Sequence, residues 1–171
     1  MSQERSNKAV DQAAARPGKV LLVDDQPELR RLFRRSLTRE GHDVVEAWNG
    51  QSAIDLARRE TFDAVVSDIQ MPDMNGMDLL EGLMLLDPDL PVILVSGAFD
   101  PMLERRAAEL GAFDYLVKPI ACDRVNEAAR RAIALRRACA EARTEFEPYA
   151  SVERLRIPVE LAKVAQPRTR R

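Results

Sequence analysis

Three runs in this chain, "VLLV" at residues 20–23, "AVV" at 64–66 and "VILV" at 92–95, are apolar at every position. A strand with one face in water alternates apolar and polar residues, whereas a strand apolar throughout is buried on both faces. Both faces are covered when helices carry the chain back to the same starting edge, which is the parallel arrangement. The segments between the runs have helical spacing. After the first run, Leu29, Leu32, Phe33 and Leu37 recur at helical intervals, with Arg30, Arg31, Arg34 and Arg35 between them. Pro27 suits a first helical turn and Gly41 a helix stop.

Read this way, the chain has strands at 20–23, 43–47, 62–67, 91–95 and 113–117. Helices follow at 27–40, from Asn49-Gly50 to Glu60 with Ile54, Leu56 and Ala57 inward, at 77–86, and from Asp100-Pro101 to Gly111. A fifth helix starts near Cys122. Strand followed by helix, five times over, predicts an α/β fold with a doubly wound, five-stranded parallel sheet. The length of 171 residues suits one domain with appendages, and 46% hydrophobic residues suffice for its core. Residues 1–17 are polar and Ala-rich and read as a flexible arm. The domain occupies 18–137, and 138–171 form a helical extension with a tail or linker.

The charges nearly balance, 26 basic against 28 acidic residues, so nothing demands nucleic acid or an anionic membrane as a partner. No stretch reaches the ~18 apolar residues of a membrane span, and the amino terminus lacks an apolar secretory segment. Cytoplasmic residence is the expectation. The two cysteines, Cys122 and Cys139, fall 17 positions apart in one predicted helix. They cannot meet along it, which excludes a disulfide between them.

Ligands of a doubly wound sheet sit outside the carboxyl ends of the strands. Asp24 and Asp25 follow the first strand, Asp68 the third, Ser96 the fourth and Lys118 the fifth, while Trp48 and Asn49 follow the second. Three carboxylates at one edge repel. Two unit charges ~5 Å apart at an effective dielectric near 20 cost about 3 kcal/mol. Raised pKa values or a bound cation relieve that repulsion. Hard oxygen donors in an incomplete shell suit Mg²⁺, which retains waters and favours a phosphate oxygen as a further ligand.

The segments "VLLVDDQP", "VVSDIQMPDMNGMDLL", "VILVSG" and "DYLVKPI" together resemble the receiver domain of two-component response regulators, in that family's order and approximate spacing, over residues 18–137. The resemblance implies a flavodoxin-like (βα)5 fold and a phosphorylation-dependent signalling switch, not an enzyme beyond its own phosphorylation and dephosphorylation. It implies that Asp68 is the phosphoacceptor, supplied by a sensor histidine kinase or phosphotransfer protein. Mg²⁺ would be held by Asp25, Asp68 and the Gln70 backbone carbonyl, with Asp24 acting through water. Lys118 would pair with phosphoryl oxygens, Ser96 would bond another in the active state, and Tyr115 would move inward with Ser96. Pro119 would follow a cis peptide bond. The signal would pass to the surface of the fourth helix, fifth strand and fifth helix.

Ser96 stands where the family more often has Thr, and Gly97 where Ala is more usual, which loosens that loop. Gln70 and Ala98 would flank the phosphoryl group and tune its hydrolysis. Asp73, Asp78, Asp100 and Asp114 read as turn, cap or surface residues, and Met71, Met74 and Met77 as loop packing. His42, in the loop before the second strand, has neither a metal nor a relay role. A haloacid-dehalogenase-like phosphatase also uses a strand-end Asp, but it needs a second acid two residues later, where this chain has Gln70.

Ala128, Ala132, Leu135, Cys139, Ala142 and Phe146 alternate spacings of four and three. They form an Ala-rich heptad seam on a fifth helix that would run to about Glu147, where Pro148 ends it. The seam suits either a homodimer, as does the surface of the fourth helix, fifth strand and fifth helix, or packing on the chain's own sheet. Too little chain remains for a DNA-binding domain. The alternative to a stand-alone receiver is the receiver portion of a longer regulator, with an enzymatic or DNA-binding output beyond Arg171.

Overall fold

Strand β1 (Lys19–Val23) shows how the sheet is built. Val20 and Leu22 join the core on one face, and Leu21 and Val23 join the core on the other, since successive side chains point to opposite sides. A computed structural model of the chain describes residues 17–150. Nearly all of the arm read at 1–17 and the tail beyond 150 lie outside the described residues. After β1 come α1 (Pro27–Arg39), β2 (Asp43–Ala47), α2 (Gly50–Arg59), β3 (Ala64–Asp68), α3 (Gly76–Leu86), β4 (Val92–Ser96), α4 (Pro101–Glu109), β5 (Asp114–Val117) and α5 (Cys122–Ala150). By contact the chain divides into Met1–Ala138 and Cys139–Arg171; the sheet and the site described below belong to the first.

All five strands are parallel, in the order β2-β1-β3-β4-β5. This is the five-stranded doubly wound sheet that the apolar runs require. Phe33 and Leu37 of α1, with Val125, Ala129 and Ile133 of α5, cover one face. Ile54 of α2, Leu79, Leu80 and Leu83 of α3 and Ala107 of α4 cover the other. Polar side chains start three of the helices. Asn49 accepts from the Ser52 N–H at 2.7 Å, Asn75 from the Met77 N–H at 2.9 Å, and Asp100 from the Met102 N–H at 2.9 Å. Among the described residues no helix is long and apolar enough to cross a membrane.

Two boundaries differ in a way that matters. The third strand was expected at 62–67 and the fourth at 91–95, but β3 and β4 lie further along, so Asp68 and Ser96 are the last residues of their strands. The ladder continues because Asp68 pairs with Val95 and Ser96 with Val117.

The fifth helix runs past the expected end at Glu147 to Ala150, through Pro148. In a helix's final turn a proline removes only one backbone bond. The heptad seam does not form one surface. Ala128 and Ala132 pack into the core beneath α5, whereas Leu135 is 50% exposed and Cys139 and Ala142 are exposed. A stripe of this period serves sheet packing as well as helix pairing, and here its first part does the former. The side chain of Phe146 lies outside the described residues. Both cysteines are free thiols.

Candidate functional site

The chain winds outward from β1 to β2 and then returns on the other side of β1 to β3. The carboxyl ends of β1 and β3 therefore flank the point where the winding reverses, the usual ligand crevice of such sheets. β1 is apolar through Val23, so position 24 is the first that reaches the edge. Asp24 is 2% exposed. Its Oδ1 accepts the Gln26 N–H at 2.8 Å, and its Oδ2 lies 3.7 Å from Lys118 Nζ. Arg30 donates to the Asp24 carbonyl oxygen at 2.7 Å and pairs with Glu46 at 3.3 Å. Asp24 thus organises the loop before α1, whose N-cap is Gln26 and carries no side-chain bond.

Asp68 is 3% exposed. Its Oδ1 lies 2.7 Å from Lys118 Nζ, an ion pair without hydrogen-bond geometry. Asp25 Oδ1 is buried and has no hydrogen-bond partner. Burial pushes the Asp24 carboxyl above its ordinary value of 3.8. The Gln26 N–H and Lys118 pull it down, and the charges of Asp68 and Asp25 push it further up. Asp24 therefore feels the charges of both other acids.

They do not form a ready-made cage. Among the described residues no group of three or more His, Cys, Asp or Glu side chains is arranged to hold a metal. Asp24 is already engaged by Gln26 and Lys118, which leaves Asp25 and Asp68 as the carboxylates with a buried oxygen lacking a hydrogen bond. Two carboxylates form a hard, incomplete oxygen set. That set fits Mg²⁺ completed by water or phosphate, and it does not fit a metal bound by protein alone.

Ser96 is 2% exposed and bonds to its own loop. Its Oγ donates to the Ala98 carbonyl oxygen at 2.8 Å and accepts from the Ala98 N–H at 3.3 Å. Tyr115 packs against the core cluster that includes Leu94 and Ala107, and its hydroxyl is buried without a partner. The Lys118–Pro119 peptide bond is cis. Gln70 is exposed. A Cβ added at Gly97 would stand 3.0 Å from Gln70 Oε1, the free end of an exposed side chain, so the β3 and β4 loops approach one another there.

Sequence reasoning missed three contacts, two of them at this crevice. Arg30 was one of several α1 arginines, with nothing to mark its bond to the Asp24 carbonyl. The Ala98 backbone holds Ser96, and an alanine gives no signal of that. His42 is buried, with its Nδ1 accepting from the Gly18 N–H, a contact across 24 residues that no local pattern displays.

Residues 20–130 match the family model described as "Response regulator receiver domain". The C4-dicarboxylate transport transcriptional regulatory protein DctD of Rhizobium meliloti is 38% identical over 73% of this chain and 27% of its own length. The chain thus spans about a quarter of the regulators of this kind that it matches. The chemotaxis protein CheY of Thermotoga maritima is 35% identical over 66% of this chain and 95% of its own length. A response regulator receiver domain from Clostridium thermocellum superposes with a TM-score of 0.68 at 27% identity, covering 71% of this chain and 98% of that one.

Proposed function

The chain belongs to the response regulator receiver domain family of two-component signalling, and from that membership we propose that Asp68 accepts a phosphoryl group from a sensor histidine kinase or a phosphotransfer protein. Receiver domains are signalling modules and not enzymes in the ordinary sense. The observation that carries the assignment is the approach of Lys118 Nζ to within 2.7 Å of Asp68 Oδ1 at the edge where β1 and β3 end.

A carboxylate oxygen of Asp68 attacks the phosphorus, the bond to the donor's leaving group breaks, and an acyl phosphate remains on Asp68. A carboxylate approaching an anionic phosphoryl group needs its repulsion cancelled. Lys118 supplies a fixed cation to the phosphoryl oxygens. Mg²⁺, held by Asp25, Asp68 and the Gln70 backbone carbonyl with Asp24 reaching it through water, would stabilise the same oxygens electrostatically when bound. Ser96 then exchanges Ala98 for a phosphoryl oxygen, and Tyr115 responds beside it. The change is read on the face made by α4, β5 and α5.

Intact-mass measurement tests the assignment. With Mg²⁺ and acetyl phosphate the wild type gains one phosphoryl group and Asp68→Asn gains none; equal labelling of the two rejects it. We place the exchange in the cytoplasm, without direct nucleic-acid contact. Homodimerisation would use the α4-β5-α5 face or the exposed part of α5. A second reading, the receiver portion of a longer regulator, is favoured by the small share of DctD that the match spans.

A further inference from the structure

His42 is the only histidine in the chain, and the phosphoryl chemistry makes no use of it. It precedes β2 at the amino edge of the sheet. From Gly18 to Asp24 the chain extends about 20 Å, which puts His42 at the edge opposite the acid crevice. The residue is 7% exposed. Its Nδ1 accepts the Gly18 N–H at 3.1 Å, so the proton of the neutral ring sits on Nε2. One residue upstream, the Pro17 carbonyl oxygen accepts from Arg137 Nη2 of α5 at 2.7 Å. Arg137 also lies 3.5 Å from Asp63, whose Oδ2 accepts the Lys19 N–H at 2.8 Å.

The charged groups facing His42 are Glu40 at the end of α1, Arg137 on α5 and Asp63 before β3. Burial holds the imidazole below its ordinary value of 6.5; Glu40 and Asp63 oppose this and Arg137 reinforces it. A protonated ring has N–H groups on both nitrogens and accepts nothing.

We propose that neutral His42 pins the lead-in to β1 and, through Pro17 and Arg137, the adjoining turn of α5, and that protonation withdraws the pin. The buried Gly18 N–H would then face a donor, and a second positive charge would stand near Arg137. Acid would loosen the amino edge and leave the crevice at the far edge in place.

NMR of the full chain, titrated from about pH 7.5 to about pH 5, follows a single imidazole without ambiguity. The expected result is a neutral ring with its proton on Nε2 and a midpoint below 6.5. The protection of the Gly18 amide against exchange should drop about tenfold or more with the same midpoint. A ring titrating at or above 6.5, or Gly18 protection unchanged through the transition, overturns the proposal. His42→Gln keeps an amide oxygen as acceptor and has no charge to gain, so its Gly18 protection should stay flat over this range. Protection that still falls with the wild-type midpoint in that variant also overturns the proposal. Should the variant not fold, the wild-type titration decides alone.

Discussion

Asp24 ionises less readily in the folded protein than in the unfolded chain, because burial raises its pKa above 3.8. Between 3.8 and that raised value the folded state binds more protons. The ionised carboxylate therefore destabilises the fold at neutral pH. That penalty fades as pH falls through the raised pKa and is gone below 3.8. Asp24→Asn preserves an oxygen for the Gln26 N–H and removes the charge. Thermal denaturation in chelator should show its Tm higher than wild type by a few degrees at neutral pH, with the gain vanishing in acid. An unchanged or lower Tm at neutral pH refutes this. That Asp24, Asp25, Asp68 and Lys118 stand at the carboxyl ends of strands was legible in the sequence, and strand ends converge in a parallel sheet. The Gln70–Gly97 approach and the Arg30 bond to Asp24 were not, since they depend on how two loops fold back over the edge.

Among the elements, α3 is tightly constrained where it starts, because its first residue sits against the backbone of Asp68. Gly76 N–H donates to the Ile69 carbonyl oxygen at 2.8 Å. A Cβ at Gly76 would collide with the Asp68 carbonyl oxygen and lie 2.7 Å from Ile69 Cα. Backbone atoms yield less easily than the end of a side chain. Gly76→Ala should lower stability by about 1–3 kcal/mol in urea denaturation and slow phosphorylation of Asp68; wild-type stability would contradict this. The order and type of every element could be read from apolar runs and caps, but their ends could not. Asp63 lies inside the run expected to form the third strand, yet its side chain holds the Lys19 N–H and the ladder begins one residue later. Periodicity marks which face is apolar and is silent about where pairing stops. It is also silent about what an apolar stripe packs against, which is why the α5 seam splits.

In the whole molecule the two edges of the sheet carry different tasks. The carboxyl edge gathers acids and Lys118. The amino edge is tied by ion pairs to α5, Arg136 with Asp87 at 2.6 Å and Arg137 with Asp63 at 3.5 Å. His42, with its pKa below 6.5, contributes stability that is complete above 6.5 and is lost as pH falls toward the folded value. On α5 Leu135, Cys139 and Ala142 are exposed, a stripe that a second copy of the chain would cover. Light scattering should give the full chain twice its monomer mass and a chain ending at Ala138 its monomer mass. Monomers in both cases would rule out pairing through α5.

Ser96 gives one hydroxyl to two backbone groups of the same residue, the Ala98 carbonyl and amide. Were that hydroxyl drawn toward a phosphoryl oxygen, as proposed above, both contacts would be given up together. Ala98 is exposed, so water would take up its freed backbone groups. The serine is held by a clasp that solvent can replace, and the loop surrenders it at small cost.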